Sequence, residues 1–305
     1  MRKRINYNLS EMEQNILDTS KYKIGLWSLD SRFAEYKGKT GSEWRITPPQ
    51  PLKNIMRIRM ASVEIPLVEQ TFTEAKGNTS FYIRIGSNPN SQKLTPINNG
   101  NYNAATLCSN VELALKGLLS TFTCVLDNAT GMVTITASAT FTIDFLSEVP
   151  SIGDQPTHWG LGYYLGFRKP VQEATQNPST GRWFIKGTSV INVQPNPYYI
   201  LRLKCPEEIQ TVTHRLAGGN FVSAFAKILL KDNYYTLQFD DNSNLMRKEY
   251  SFLAPVTIPF FHFFLEDPYG NPVNMFDTDW SVTIEVTEVV NSKTYGAISN
   301  TYARK

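Results

Sequence analysis

The feature that most constrains this chain is its rhythm. Between residues 23 and 289, short alternating apolar and polar runs recur, broken by Gly, Pro, Asn and Asp turns, with one strong helical stretch among them. Residues 52–65, LKNIMRIRMASVEI, alternate from Ile58 onward, which is the period of a strand. Pro66 stops that run, because proline has no N–H to give to a ladder. KIGLWSLDS, EWRIT, FYIRIGS, FTCVLD and MVTITAS read the same way, and Asn128-Ala129-Thr130-Gly131 turns the last two into a hairpin that ATFTIDFL continues as a third strand. Past Val190 follow SVINV, YYILRLK, FAKILL, YYTLQF, VTIPFFHFFL and WSVTIEVTEVV, separated by Gly218-Gly219-Asn220, Asp240-Asp241-Asn242 and Asp267-Pro268-Tyr269-Gly270-Asn271. The exception is NNGNYNAATLCSNVELALKGLLS, where Leu107, Val111, Leu115 and Leu118 fall at helical spacing behind Asn103, an N-cap residue. Strands do not alternate with helices, which argues against a parallel α/β sheet. The expected fold is all-β, an antiparallel sandwich or barrel.

A chain of 305 residues is long for one domain and short for two full ones, so one elaborated domain, or one plus a small partner, is expected. Its divisions read as an N-terminal arm at 1–22, a domain over 23–290 with a loop-rich insertion at about 150–190, and a C-terminal tail at 291–305. Within the arm, Ser10 and Glu13 have the spacing of a capping box for a short helix, SEMEQNILD. A flexible arm is the other reading.

Thirty Lys+Arg against 27 Asp+Glu leave a net charge of +3, far from the dense basic footprint of a nucleic-acid coat. Only 19% of residues are charged and 12% are aromatic, which suits a surface covered by neighbours. Cys108, Cys124 and Cys205 are odd in number and lack CxxC spacing, so free thiols in a reducing compartment are expected. No apolar run follows the basic start Met-Arg-Lys-Arg, so no secretory signal is read. Residues 253–265, LAPVTIPFFHFFL, are too short and proline-broken to span a bilayer. The Asn-x-Ser/Thr triplets at Asn8, Asn78 and Asn128 therefore read as chance matches.

No reactive constellation emerges, and no catalytic, cofactor-binding or metal-binding residue is expected. His158, His214 and His262 lie far apart without partners at ligand spacing, and His262, inside FFHFF, reads as a core or interface ring. Gly38-Lys39-Thr40 lacks the leading glycine of a phosphate loop, since position 33 is Phe33. Gly160-Leu161-Gly162 lacks the third glycine of a dinucleotide fingerprint, since position 165 is Leu165. Asp240-Asp241 and Glu207-Glu208 are adjacent carboxylates, and neighbours on a strand point to opposite faces. Arg2-Lys3-Arg4 reads as a solvated end or as part of an arm that orders on a neighbour.

The order of the segments carries more than any one of them. LDSR (29–32) precedes EWRIT; PLKNIMRIRMASVEIP (51–66) follows; GNYNAATLCSNVELAL (100–115) opens a helix with G-x-Y-x-x-x-x-L; the hairpin leads to LGYYLGF (161–167); and an aspartate-glycine turn precedes Asp279-Trp280-Ser281 and the last strand. In this order the chain resembles the minor capsid and penton-type proteins of large icosahedral DNA viruses that replicate in the cytoplasm. The resemblance covers roughly residues 24–290. It implies a single jelly roll of two four-stranded sheets, here with one inserted helix and terminal extensions. It also implies a structural virion protein, assembled in the host cytoplasm, whose partners are copies of itself as a homopentamer, the major capsid protein and other minor capsid proteins. No small-molecule substrate, cofactor, membrane span or nucleic acid is part of that picture. A cementing protein beneath the shell is the alternative role. A carbohydrate-binding spike is another, with Trp159, Tyr163, Tyr164 and Trp183 as stacking rings.

Overall fold

The computed structural model describes residues 22–145, 160–169, 171–194, 196–206, 209–215, 221–232, 234–241 and 248–290. The chain opens with β1 (Tyr22–Asp30), β2 (Tyr36–Lys37), β3 (Glu43–Ile46) and the long β4 (Leu52–Pro66). A second group follows: β5 (Tyr82–Ile85), β6 (Gln92–Lys93), α1 (Ala104–Lys116), β7 (Thr123–Asp127), β8 (Met132–Ala137), β9 (Phe141–Asp144), α2 (Gly160–Tyr164), β10 (Val171–Glu173), β11 (Thr175–Gln176) and β12 (Trp183–Lys186). The chain then returns through β13 (Tyr198–Lys204), β14 (Val212–Arg215), β15 (Phe221–Ala224), β16 (Ala226–Leu229), β17 (Leu237–Asp240), β18 (Glu249–Ile258), β19 (Phe261–Glu266) and β20 (Ser281–Val289). β1–β4 and β13–β20 form one compact unit, and β5–β12 with both helices form another.

In the first unit, β1-β20-β4-β17 make one sheet, with β18 on β4 beside β17, and β16-β13-β19-β3-β2 make the other. Every ladder is antiparallel. Eight principal strands, taken in chain order, are β1, β3, β4, β13, β16, β17 together with β18, β19 and β20. One sheet then reads first, eighth, third, sixth, and the other second, seventh, fourth, fifth. That is the connectivity of a jelly roll, two Greek keys folded into opposed sheets. The inward residues of both sheets share one core: Ile58, Met60, Val63 and Ile284 from one, and Trp44, Leu201, Leu203 and Phe263 from the other. The expected antiparallel sandwich is therefore present, with β2 and the paired β17/β18 enlarging the two four-stranded sheets.

The insertion lies elsewhere than the loop-rich texture suggested. Residues 70–196 interrupt the roll between its third and fourth strands, and they hold a separate core. Two four-stranded sheets, β10-β9-β5-β6 and β11-β12-β8-β7, contribute Ile83, Phe141, Ile143, Val133 and Ile135. The helix belongs to this unit. Asn103 Oδ1 accepts from the Thr106 N–H at 2.8 Å and Thr106 Oγ1 accepts from the Asn103 N–H at 3.0 Å, a reciprocal cap. Thirteen residues make a marginal helix alone. Buried Leu107, Cys108, Val111 and Leu115 hold it in place by packing. Glu112 ties it to β7 by accepting the Cys124 N–H at 3.0 Å.

The glycines of LGYYLGF have packing reasons. A Cβ at Gly162 would lie 2.3 Å from Phe145 Cγ, and one at Gly166 (φ +87°) would lie 2.2 Å from the Ser189 carbonyl oxygen. Phe145 is stacked on Phe167 with ring centroids 5.0 Å apart, so it has little room to step aside. Gly162→Ala is expected to destabilise by about 1–3 kcal/mol through overpacking. A urea midpoint equal to that of the parent chain would show that Phe145 can move.

Three expectations about strands change. ATFTIDFL does not continue the β7–β8 hairpin. As β9 it pairs with β5 and β10, while β8 pairs with β12. Alternation makes Phe141 and Ile143 face a core, but it does not choose between the two sheets that line that core. SVINV carries no strand: its backbone bonds go to turns and loops, with Ser189 N–H to Gly166 and Ile191 N–H to Gly131. VTIPFFHFFL is split at Pro259, with β18 in one sheet of the roll and β19 in the other.

Candidate subunit-contact surface

Two of the sequence signatures meet at one corner of the roll. The register Asp30↔Ser281 sets LDSR beside Asp279-Trp280-Ser281. Ser31 Oγ donates to Asp279 Oδ1 at 2.7 Å, the Ser31 N–H donates to the Trp280 carbonyl at 3.1 Å, and the Trp280 N–H donates to Ser31 Oγ at 3.1 Å. Lys37 pairs with Asp279, and these partners hold the Asp279 carboxyl below the usual carboxylate range, the Lys37 hydrogen bond most of all. The Trp280 ring meets Trp44 of EWRIT edge-on at 5.2 Å, and its Nε1 donates to the Gly41 carbonyl at 2.9 Å. These motif residues are structural. They close the first and last strands of the roll on each other.

The remaining candidate residues are dispersed over the structure. Gly38-Lys39-Thr40 forms the β2–β3 turn, where the Gly38 N–H reaches the Glu43 carbonyl at 2.8 Å, and no helix follows it. Gly160, Leu161 and Gly162 are buried in α2. Asp240 points inward and is paired with Lys248, while Asp241 is exposed, so the two do point apart. His262 is half-buried, with Nε2 2.9 Å from Glu43 Oε1 and its ring against Tyr36 and Phe264. Its outward position on β19, between core residues Phe261 and Phe263, makes it a surface ring rather than a core one. Tyr164 is buried, and Tyr163 and Trp183 pack against the second core, so these three rings fill space rather than form an open stacking platform. Asn78 is buried, with Oδ1 and Nδ2 bonded to the Thr73 N–H and the Thr71 carbonyl, each at 2.8 Å. Arg2-Lys3-Arg4, Asn8, the SEMEQNILD segment, His158, Trp159, Glu207-Glu208, Gly218-Gly219-Asn220 and the 291–305 tail lie outside the described residues, as does the side chain of His214. Among the described residues no group of three His, Cys, Asp or Glu gathers to hold a metal, and no helix is long and apolar enough to cross a membrane.

All three cysteines are buried free thiols. Cys108 on α1 and Cys124 on β7 hydrogen-bond to each other. Accepting that bond lowers the Cys108 thiol, while donating it, together with burial, raises Cys124. Burial alone pushes Cys205 up to about 12.

Residue pattern and register leave two outward faces on the roll. On the β1-β20-β4 sheet, Leu26, Glu285 and Arg59 stand in one cross-strand row, and Ile24, Thr287 and Arg57 in the next. Arg59 Nη2 sits 2.5 Å from Glu285 Oε2, Arg57 Nη2 3.6 Å from Glu285 Oε1, and Arg57 Nη1 4.0 Å from Glu249 Oε2. This network is bordered by apolar margins. Ile24 and Leu26 on β1 are 55% and 67% exposed, and Leu237 and Phe239 on β17 are 56% and 55% exposed. On the β13-β19-β3 sheet, Lys204, His262 and Arg45 form one row. Arg202 bonds Glu266 at 2.8 Å and lies 5.3 Å from the Phe264 ring centre, and Arg45 lies 4.3 Å from that of Phe260. Charged side chains edged by exposed aliphatic and aromatic ones suit a protein–protein contact surface.

The strand order and these two faces define the class: a jelly-roll sandwich that carries a second unit between its third and fourth strands. No protein-family model matches the chain, and no curated protein matches it. Among solved structures it is similar to the mavirus penton protein, with a TM-score of 0.45 and 8% identity over 88% of this chain and 99% of that one. It is also similar to a chain of the Sputnik virophage solved by cryo-electron microscopy, with a TM-score of 0.41 and 12% identity over 86% and 97%.

Proposed function

We propose that the chain is a structural virion protein, the vertex (penton) subunit of an icosahedral DNA-virus capsid, which binds copies of itself and the major capsid protein and carries out no catalysis. The observation that carries this reading is the jelly-roll strand order, joined to apolar margins on an outward sheet face. The ordered sequence signatures supply the family resemblance. A sandwich whose two faces differ, one edged by Ile24, Leu26, Leu237 and Phe239 and the other lined by Arg45, Arg202 and Lys204, suits a head-to-tail contact. Such heterologous contacts close into rings when the rotation allows it. The arm at 1–22 and the tail at 291–305 are the extensions that would order on neighbouring subunits.

Light scattering and negative-stain imaging of the purified chain test this. The expected result is a ring of five with about five times the 34.6 kDa chain mass. A monodisperse monomer that forms no ring at high protein concentration would overturn the vertex role and transfer the reading to a cementing subunit beneath the shell.

A further inference from the structure

β1 is an edge strand. It pairs residue for residue with β20 from Tyr22↔Val289 to Asp30↔Ser281 without a bulge, and among the described residues no strand pairs with its other side. Proteins usually blunt such an edge with proline, bulges, short length or charge. The nine residues YKIGLWSLD contain no proline and no bulge, and their only charges are Lys23 near one end and Asp30 at the other. Beside it opens a cleft of about 330 Å³ lined by Gly25, Leu26, Trp27, Leu52 and Val286, with Lys23, Lys53 and Glu288 as its charged members. The side chains of Ile24 and Leu26, both more than half exposed, point to the opposite, outward face of the same strand. An unblunted edge with an apolar cleft is the template for adding a strand.

The chain also contains a segment suited to fill it. Twenty-one residues precede Tyr22, a length that spans about 70 Å when extended. Within them, Arg4-Ile5-Asn6-Tyr7-Asn8-Leu9-Ser10 alternates with period two, placing Ile5, Tyr7 and Leu9 on one face. A chain's own arm fits this edge poorly. A tight hairpin turn at 18–21 would set Leu9 opposite Asp30 and carry Ile5 past the end of the strand. Bringing Ile5 to Leu9 against Ile24 and Leu26 from the same chain would need a loop of about 12 residues, long for a hairpin. An arm from another copy has no such constraint.

We propose that the free edge of β1 accepts residues 4–10 of a neighbouring copy as an added strand, with Ile5, Tyr7 and Leu9 on the outward face beside Ile24 and Leu26. The inference rests on the assembly reading above, because the donor is a second copy.

The test uses the full chain carrying Leu26→p-benzoylphenylalanine, irradiated as an equal mixture of light and ¹⁵N-labelled protein, with cross-linked peptides identified by mass spectrometry. The expected product joins the β1 peptide of one label to the 1–10 peptide of the other. Same-label links alone would place a chain's own arm on the edge, and links to 291–305 would place the tail there; either overturns the proposal. A synthetic peptide of residues 2–12, added in excess, is expected to be captured at the same position even by monomeric chain. Its capture should fall by at least about tenfold when Ile5, Tyr7 and Leu9 are all replaced by serine. Failure to capture the peptide overturns the edge assignment whether or not rings form. Capture without rings leaves the edge assignment standing and overturns the vertex reading.

Discussion

Replacing Trp280 with alanine is expected to remove about 3–5 kcal/mol of stability, the range for emptying a buried aromatic site. The ring is almost fully buried against Trp44 and Phe263, at centroid distances of 5.2 and 6.3 Å. Its removal also strips the Gly41 carbonyl of the indole N–H that reaches it at 2.9 Å. Both Trp44 and Trp280 sit where the β3 sheet faces the β20 sheet, so the cavity opens between the two halves of the sandwich, where collapse is hardest. Urea titration followed by tryptophan fluorescence measures the loss. Trp280→Phe keeps one aromatic ring in the site while removing the hydrogen bond and part of the indole volume, with an expected cost of about 1–3 kcal/mol. An alanine variant within about 1 kcal/mol of the parent chain would mean that this corner does not hold the roll closed.

Lys248→Met is expected to cost about 3–5 kcal/mol, because it removes the cation of a buried ion pair. Lys248 Nζ and Asp240 Oδ2 are 2.5 Å apart, with side chains only 3% and 4% exposed. The pair links the end of β17 to the start of β18, the two strands that share one edge of β4, and the Lys248 carbonyl accepts the Met60 N–H at 2.9 Å. Asp240→Leu combined with Lys248→Met should recover most of the loss, since replacing a buried ion pair by apolar groups is often neutral or stabilising. Denaturant midpoints of the two single variants and the double variant form the cycle. A double variant as unstable as Lys248→Met alone would show that the pair is needed for more than charge balance.

Much of the local structure was legible along the chain because it depends on near neighbours. The alternation in 52–65 became β4, and Asn103 with the Leu107, Val111, Leu115 spacing became a capped helix buried on the face those residues define. Asp30 ends β1 as expected, since its carboxylate accepts the Arg32 N–H at 2.8 Å and starts a turn. The candidate surface was far less legible. Composition suggested covered faces, but Ile24, Leu26, Leu237 and Phe239 looked no different from core residues, because an apolar residue on an alternating strand declares a face and not what lies over it. His262 illustrates the same limit from the other side. Inside FFHFF its setting is apolar in sequence, yet alternate residues point oppositely and Glu43 meets it on the outer surface.

The sequence by itself determined the fold class, most strand positions, the helix and its cap, and the places where proline and glycine end an element, because each follows from local sterics and a period of two or 3.6. Only the tertiary structure decided partners. It sent β9 to a different sheet from β8, split β18 from β19, left SVINV without a strand, and brought LDSR to Asp279-Trp280-Ser281 across about 250 residues of chain. It also turned a presumed loop insertion at 150–190 into a unit of its own over 70–196. The physical reason is common to all of these. A period-two pattern specifies which side of a strand is buried, whereas the neighbour that buries it is selected by long-range packing, and in a Greek-key sandwich that neighbour is seldom the next strand in the chain.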